Sequence, residues 1–191
     1  VCDIINSCIK DYDLVMVMDF GHGLMQDKVR ELVQKKAPFL ALNCQTNSYN
    51  YGFNIIDKQY HRVDSFSLDE TELTLACGRR DINFSEELKK LQRKLSARYG
   101  WLTRGATDTI GVKTGEPECE CMPFEQSVVD TVGAGDAFCS VVSLAAMKNL
   151  SIELGTFMGQ LAGAQAVRII GNADSIKKDK LLKGGMTLLS F

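Results

Sequence analysis

The feature that most constrains this chain is its alternation of short, unbroken apolar runs with segments of helical period. Leu14-Val15-Met16-Val17-Met18 has no polar interruption, the pattern of a strand covered on both faces. Asp19-Phe20-Gly21-His22-Gly23 breaks the run, and residues 24–36 then place Leu24, Val29, Leu32 and Val33 at helical spacing. Pro38 stops that helix, and Phe39-Leu40-Ala41-Leu42 predicts the next strand. Residues 63–68 predict a third. Asp69 then stands as a helix N-cap with Glu72 three positions on, ahead of Leu73, Leu75 and Ala76. A second helix is expected over 85–98, apolar along Leu88, Leu91 and Leu95. Strands follow at 101–103, 109–113 and 119–124, separated by turns at Gly105 and at Gly115-Glu116-Pro117. From Ala134 the pattern is helical, over 134–149, 152–170 and 177–183. Such alternation gives an α/β fold whose largely parallel sheet is flanked by helices.

Composition narrows the function classes. The 191 residues are 45% hydrophobic and 24% charged, enough apolar material for a core, and 22 basic against 24 acidic residues leave a net charge of −2. A balanced chain has no global field to draw in nucleic acid or an anionic membrane. No apolar run approaches the roughly 20 residues that span a bilayer, and Val1-Cys2-Asp3-Ile4 does not open a signal peptide. With no initiator methionine, the chain is expected to be a piece of a longer protein. Its seven cysteines are irregularly spaced, and Cys119-Glu120-Cys121 has one intervening residue where zinc and redox motifs have two. They are expected to be reduced, mostly buried thiols of a cytoplasmic protein.

Two glycine-rich segments carry the candidate chemistry. In Asp130-Thr131-Val132-Gly133-Ala134-Gly135-Asp136-Ala137-Phe138 a loop turns into a strong helical pattern. Such a junction offers unpaired N–H groups at the positive end of a helix, and glycine lets a phosphate approach them. Asp136 there either caps the helix or accepts a proton. The second segment is the Asp19–Gly23 turn. A polar stretch over 43–54, rich in Asn, Ser, Thr and Tyr, follows the second strand and has the length of a binding loop. Gly111-Val112-Lys113-Thr114 is not a P-loop, because no lysine follows the glycine directly. Gly21-His22-Gly23 is not a dinucleotide fingerprint, because Gln26 fills the third small position and no acid ends the next strand.

The Asp-Thr-x-Gly-Ala-Gly-Asp-Ala-Phe run resembles the C-terminal signature of the ribokinase/PfkB family of carbohydrate kinases. The resemblance implies that Gly133, Ala134 and Gly135 form an anion hole and that Asp136 is the base activating a sugar hydroxyl. Asp69-Glu70-Thr71-Glu72 resembles the family's Asn-x-x-Glu element, which implies that Glu72, with Asp69, organises Mg²⁺ and its waters; a capping box is compatible with that role. Leu102-Thr103-Arg104-Gly105 is similar to the nucleotide-binding turn, implying that Thr103 and Gly105, with Thr131, meet ATP. Residues 162–171, with Ala162, Gln165 and Asn172, resemble the segment lining the adenine, while Gly155, Gly159 and Gly163 suit close helix packing. Asp19-Phe20-Gly21-His22-Gly23 looks like the Asp-Tyr-x-Lys-Gly segment of heptose kinases, with histidine in place of lysine. This implies substrate contacts by Asp19, His22 and Gly23, and Asn43-Cys44-Gln45-Thr46-Asn47, led by Asn43 at the next strand end, is placed on the sugar or phosphate side. Alternatively the Asp19–Gly23 segment is a plain strand-to-helix turn.

The resemblance implies a ribokinase-like fold without its N-terminal part, most similar to the kinase half of bifunctional heptose kinase/nucleotidyltransferases. It implies an ATP-dependent transfer to a small sugar or sugar phosphate, and fusion to a nucleotidyltransferase domain. With the first strands of the sheet absent, self-association through the uncovered edge, as a homodimer, is expected. The alternative is a nucleotide-binding module without catalysis.

Overall fold

The computed structural model describes residues 1–125, 127–171 and 173–190. Its centre is a six-stranded sheet of β1 (Val15–Asp19), β2 (Leu40–Cys44), β3 (Ser65–Asp69), β4 (Tyr99–Thr103), β5 (Thr109–Lys113) and β6 (Cys119–Cys121), which lie side by side in chain order. The first four strands are parallel and the last two antiparallel. The helices are α1 (Cys2–Cys8), α2 (Asp27–Lys36), α3 (Ile56–Gln59), α4 (Glu70–Cys77), α5 (Phe84–Lys94), α6 (Ala134–Met147), α7 (Ile152–Ala166) and α8 (Lys178–Leu189). Parallel neighbours need a crossover, and α2 to α5 supply it. The β4–β5 connection instead folds back at once through Gly105, at φ +55°, with Arg104 Nε donating to Asp108 Oδ1 at 2.7 Å.

Strand alternation divides the interior into two cores. Leu40, Leu42, Phe66, Leu68, Leu102, Ile110 and Val112 point to one side, against Leu73 and Leu88 of α4 and α5. On the other, Tyr99 and Trp101 meet Phe138, Val142 and Ile152 of α6 and α7. Beneath α6 the sheet carries small or polar residues, Ala41, Asn43, Ser65 and Ser67, all buried. The α6–α7 contact is close because of glycine. A Cβ on Gly159 would lie 2.5 Å from both Phe138 and Val142, and one on Gly155 would lie 3.2 Å from Trp101. Gly163 faces open space, so the packing role expected of all three glycines holds for two.

Local signals placed most helix starts to within a residue and missed one start and several ends. Residues 24–26 are loop rather than helix, since Gly23 at φ +90° turns the chain before α2. The helix expected to reach residue 98 ends at Lys94, where Ser96 enters the left-handed region at φ 52°. α7 stops at Ala166, β6 is shorter than expected, and α8 runs on to Leu189. α1 and α3 are elements that periodicity did not predict, each too short to display a period. β1 is an edge strand with Met16 43% exposed, so its apolar run is only partly covered. Five cysteines are half-buried and only Cys44 and Cys139 buried, which corrects the expectation of mostly buried thiols. Among the described residues no helix is long and apolar enough to cross a membrane.

Candidate functional site

The start of α6 is built by the aspartates that bracket it. Asp130 accepts the Val132 N–H at 3.0 Å and the Gly171 N–H at 2.7 Å, and these bonds hold its carboxyl below the usual carboxylate range. Gly133, the N-cap, sits at φ +77°, a conformation that costs an L side chain about 1–2 kcal/mol. Its carbonyl accepts the Ala137 N–H at 2.9 Å, while the Gly135 and Asp136 N–H groups have no acceptor among the described residues. These are the donors a first helical turn leaves free, at its positive end. Gly135 is not at positive φ, and a Cβ there would meet nothing within 4 Å. The strained glycine of the pair is therefore Gly133, and Gly135 is the open one.

Asp136 follows on the first turn, half-buried, and lines a cleft of about 220 Å³ at the carboxyl ends of β2, β3 and β4. Open α/β sheets take their ligands at that end. Asn43, Gln45, Glu72, Asp69, Thr103, Gly133 and Gly135 share the cleft. Gln45 Nε2 donates to Asp136 Oδ1 at 2.6 Å. The capping box at α4 is complete: Asp69 Oδ1 accepts the Glu72 N–H at 2.8 Å, and Glu72 Oε2 accepts the Asp69 N–H at 2.9 Å. The remaining Glu72 oxygen accepts the Thr46 N–H at 3.0 Å. Burial pushes the Glu72 carboxyl up to about 7, with the charges of Asp69 and Asp136 adding to the shift. At the floor, at paired positions, Asn43 Oδ1 and Ser67 Oγ have no hydrogen-bond partner among the described residues, though both residues are buried.

Comparison with known proteins bears on this arrangement. The model of the pfkB family carbohydrate kinases matches residues 56–179, which include the α4 capping box and the whole α6 junction. The chain belongs to that family. It is 25% identical over 174 residues to the bifunctional protein HldE of Campylobacter curvus, covering 86% of this chain and 35% of that protein. Against the bifunctional protein HldE of Koribacter versatilis the identity is 26% over 170 residues, covering 84% of this chain and 33% of that protein. The chain thus spans about a third of the length of these curated relatives. Its fold matches an Arabidopsis thaliana ribokinase complexed with ribose and ATP at TM-score 0.76 and 20% identity, over 99% of this chain and 59% of that one. A ribokinase from Thermotoga maritima gives TM-score 0.78 at 16% identity, over 98% and 61%. The ribokinase-like fold expected from the glycine-rich junction is the fold observed.

Within this pfkB-family fold the remaining predicted residues divide. Thr131 is exposed beside the α6 start, its carbonyl accepting the Ala134 N–H, and Gly105 lies outside the cleft lining. Asp19 does not contact the cleft. It is 2% exposed and its carboxylate is consumed internally, by Arg30 Nε at 3.2 Å, Tyr60 Oη at 2.7 Å and the Gly21 N–H at 2.9 Å. Ala162 is fully buried in α7, so it cannot line an adenine. The Gln165 side chain is tied to the Lys177 backbone, fastening α7 to the segment before α8. Asn172 lies outside the described residues. His22 is exposed, stacked on Phe20 with its Nε2 3.4 Å from Asn47 Nδ2. Gly23 borders a separate cavity of about 650 Å³ walled by Arg30, Asn50, Phe53, Asn54 and Gln59. Ser67 carried no assigned role in the sequence, and Gln45 was expected only as part of the 43–47 segment on the sugar or phosphate side, with no tie to Asp136. The available signal was position: Gln45 comes directly after β2, and Ser67 alternates with core residues in β3.

Proposed function

We propose that the chain is the nucleotide-binding and catalytic part of an ATP-dependent sugar kinase, acting in the cytoplasm. The observation that carries this reading is the meeting of free α6 N–H groups, Asp136 and Glu72 in one cleft at the carboxyl end of a parallel sheet. Asp136 takes the proton of a sugar hydroxyl. The freed oxygen attacks the γ-phosphorus of ATP as the bond to the β–γ bridging oxygen breaks and ADP leaves. The Gly135 and Asp136 N–H groups stabilise charge on the transferring phosphoryl, and Gly133 shapes their approach. Thr103, the Gly105 turn and Thr131 stand on the nucleotide side.

The residues fit a magnesium ion. Glu72 is 9% exposed and Asp69 and Asp136 repel its charge, so a cation relieves a strained group. Among the described residues no three carboxylate, histidine or cysteine groups form a cage, which suits a hydrated ion carried by phosphates, with Glu72 and Asp69 behind its waters. When bound, Mg²⁺ neutralises the phosphate charge.

A heptose or heptose phosphate is the proposed acceptor, and a nucleotidyltransferase part the proposed fusion partner. Both are supported by the likeness to the HldE proteins. The test is turnover of MgATP with a panel of hexoses, heptoses and their phosphates. Asp136→Asn should lower kcat by about 10²–10⁴ with little change in ATP affinity. A variant retaining more than about a tenth of wild-type kcat would remove Asp136 as the base.

A further inference from the structure

Gln45 grips Asp136 and is itself held from behind. Its N–H donates to the Asp19 carbonyl at 2.9 Å, and its carbonyl accepts Asn54 Nδ2 at 3.1 Å. The same Asn54 amide donates to the Asp19 carbonyl at 3.0 Å, and Asn54 Oδ1 accepts from Arg30 at 3.4 Å. Arg30 in turn forms an ion pair with the Asp19 carboxylate at 3.1 Å, and both side chains are largely buried. One residue on, the Thr46 N–H is fixed by Glu72. The backbone of Gln45 is therefore fastened on both sides of the residue, and only its side-chain torsions are left to set.

From this geometry we propose that Gln45 is a positioning residue for Asp136, a proposal that rests on reading Asp136 as the base. The terminal torsion of an aspartate is soft and roughly two-fold, so an unrestrained carboxylate swings. A donor bound to Oδ1 at 2.6 Å pins its plane, and Oδ2 has no partner among the described residues and stays open to take a proton. A neutral amide suits the task, because it donates a hydrogen bond without ionising at working pH and does not compete as an acid. Asp19 thereby acts on the chemistry at a distance. Its buried pair with Arg30 and its carbonyl hold the strand end from which Gln45 reaches, while its carboxylate is turned inward onto Arg30, Tyr60 and the Gly21 N–H.

The experiment uses two independent readouts on the full chain. Gln45→Met keeps the length and removes the donor. With MgATP and the best acceptor of the sugar panel, kcat should fall by about 10²-fold while both KM values stay within about threefold. Asn54→Ala, which frees the Gln45 backbone but leaves its amide, should fall between wild type and Gln45→Met. The second readout needs no turnover: in ¹⁵N NMR of the side-chain amides, the Gln45 signal should move markedly in Asp136→Ala and stay put in Asp69→Ala. Unchanged kcat in a folded Gln45→Met, or a Gln45 amide indifferent to Asp136→Ala, would overturn the proposal. If Asp136→Asn keeps its turnover, the reading of Asp136 as the base has failed; if the wild type phosphorylates no acceptor, the kinase reading has failed. The NMR pair then decides alone whether Gln45 holds the carboxylate.

Discussion

Two turns of this chain pair an aspartate with a glycine at positive φ, and they use the aspartate in opposite ways. In the turn after β1, Asp19 comes first and the chain folds over it: Gly21 at φ +69° returns its N–H to the carboxylate, and Arg30 and Tyr60 close the rest. Burial, and then the bond to Asp19, push the Tyr60 hydroxyl far up, so it stays a donor. In the turn before α6, Asp136 comes last, after the loop has already been closed by Asp130, which accepts the Val132 and Gly171 N–H groups. Asp136 is left half-buried with a single side-chain partner among the described residues, Gln45. The comparison teaches that a carboxylate in a glycine-rich turn is available for chemistry only when another group has met the turn's own needs. At α6 that group is Asp130, whereas after β1 Asp19 must do it.

Exchanging the charge at each site breaks the comparison most sharply. Asp136→Asn should abolish most turnover, by the factor given above, and leave the melting temperature within a few degrees. Asp19→Asn should do the reverse first. Removing one partner of a buried ion pair costs about 3–5 kcal/mol, a fall in Tm on the order of 10 °C for a chain of this size. Calorimetry beside steady-state kinetics separates the two, and equal Tm losses would erase the distinction.

A milder cut is Tyr60→Phe, which removes one hydrogen bond to the Asp19 carboxylate and leaves Arg30 in place. It should cost about 1–2 kcal/mol in urea unfolding, and a neutral result would mean that Arg30 alone satisfies Asp19. The smallest contrast lies within the α6 turn. Gly133→Ala should lose about 1–2 kcal/mol through its left-handed backbone. Gly135→Ala, with open space and helical geometry, should be neutral or gain up to about 1 kcal/mol while lowering turnover by crowding the phosphate. Equal stability changes at the two glycines would contradict the conformations described here.

The parallel sheet and the α6 junction were legible because their signals are local. Apolar runs, the Asp69–Glu72 capping box and the glycine spacing each sit within a few residues of what they specify. Lost from view were facts that depend on distant partners. Nothing near Asp19 in sequence announces Arg30 and Tyr60, so a motif carboxylate that resembles a ligand is in fact structural. The Gln45–Asp136 bond spans 91 positions, and only the fold brings the end of β2 to the start of α6. Ala162 was misread for a related reason: one small residue in a helix looks the same whether it faces a ligand or another helix. Periodicity also carries little information about α3, which has four residues.

The close fit of α6 against α7 at Gly159 also couples the helix that carries Asp136 to its neighbour. Phe138 lies two residues beyond Asp136, wedged where the neighbouring helix has no side chain. Sliding or rolling α6 alone would drive its ring and methyl groups into the α7 backbone, so the helix bearing the carboxylate moves only together with α7. Any motion a reaction in this cleft requires is therefore shared by α6 and α7 as one body or taken up by the other walls of the cleft.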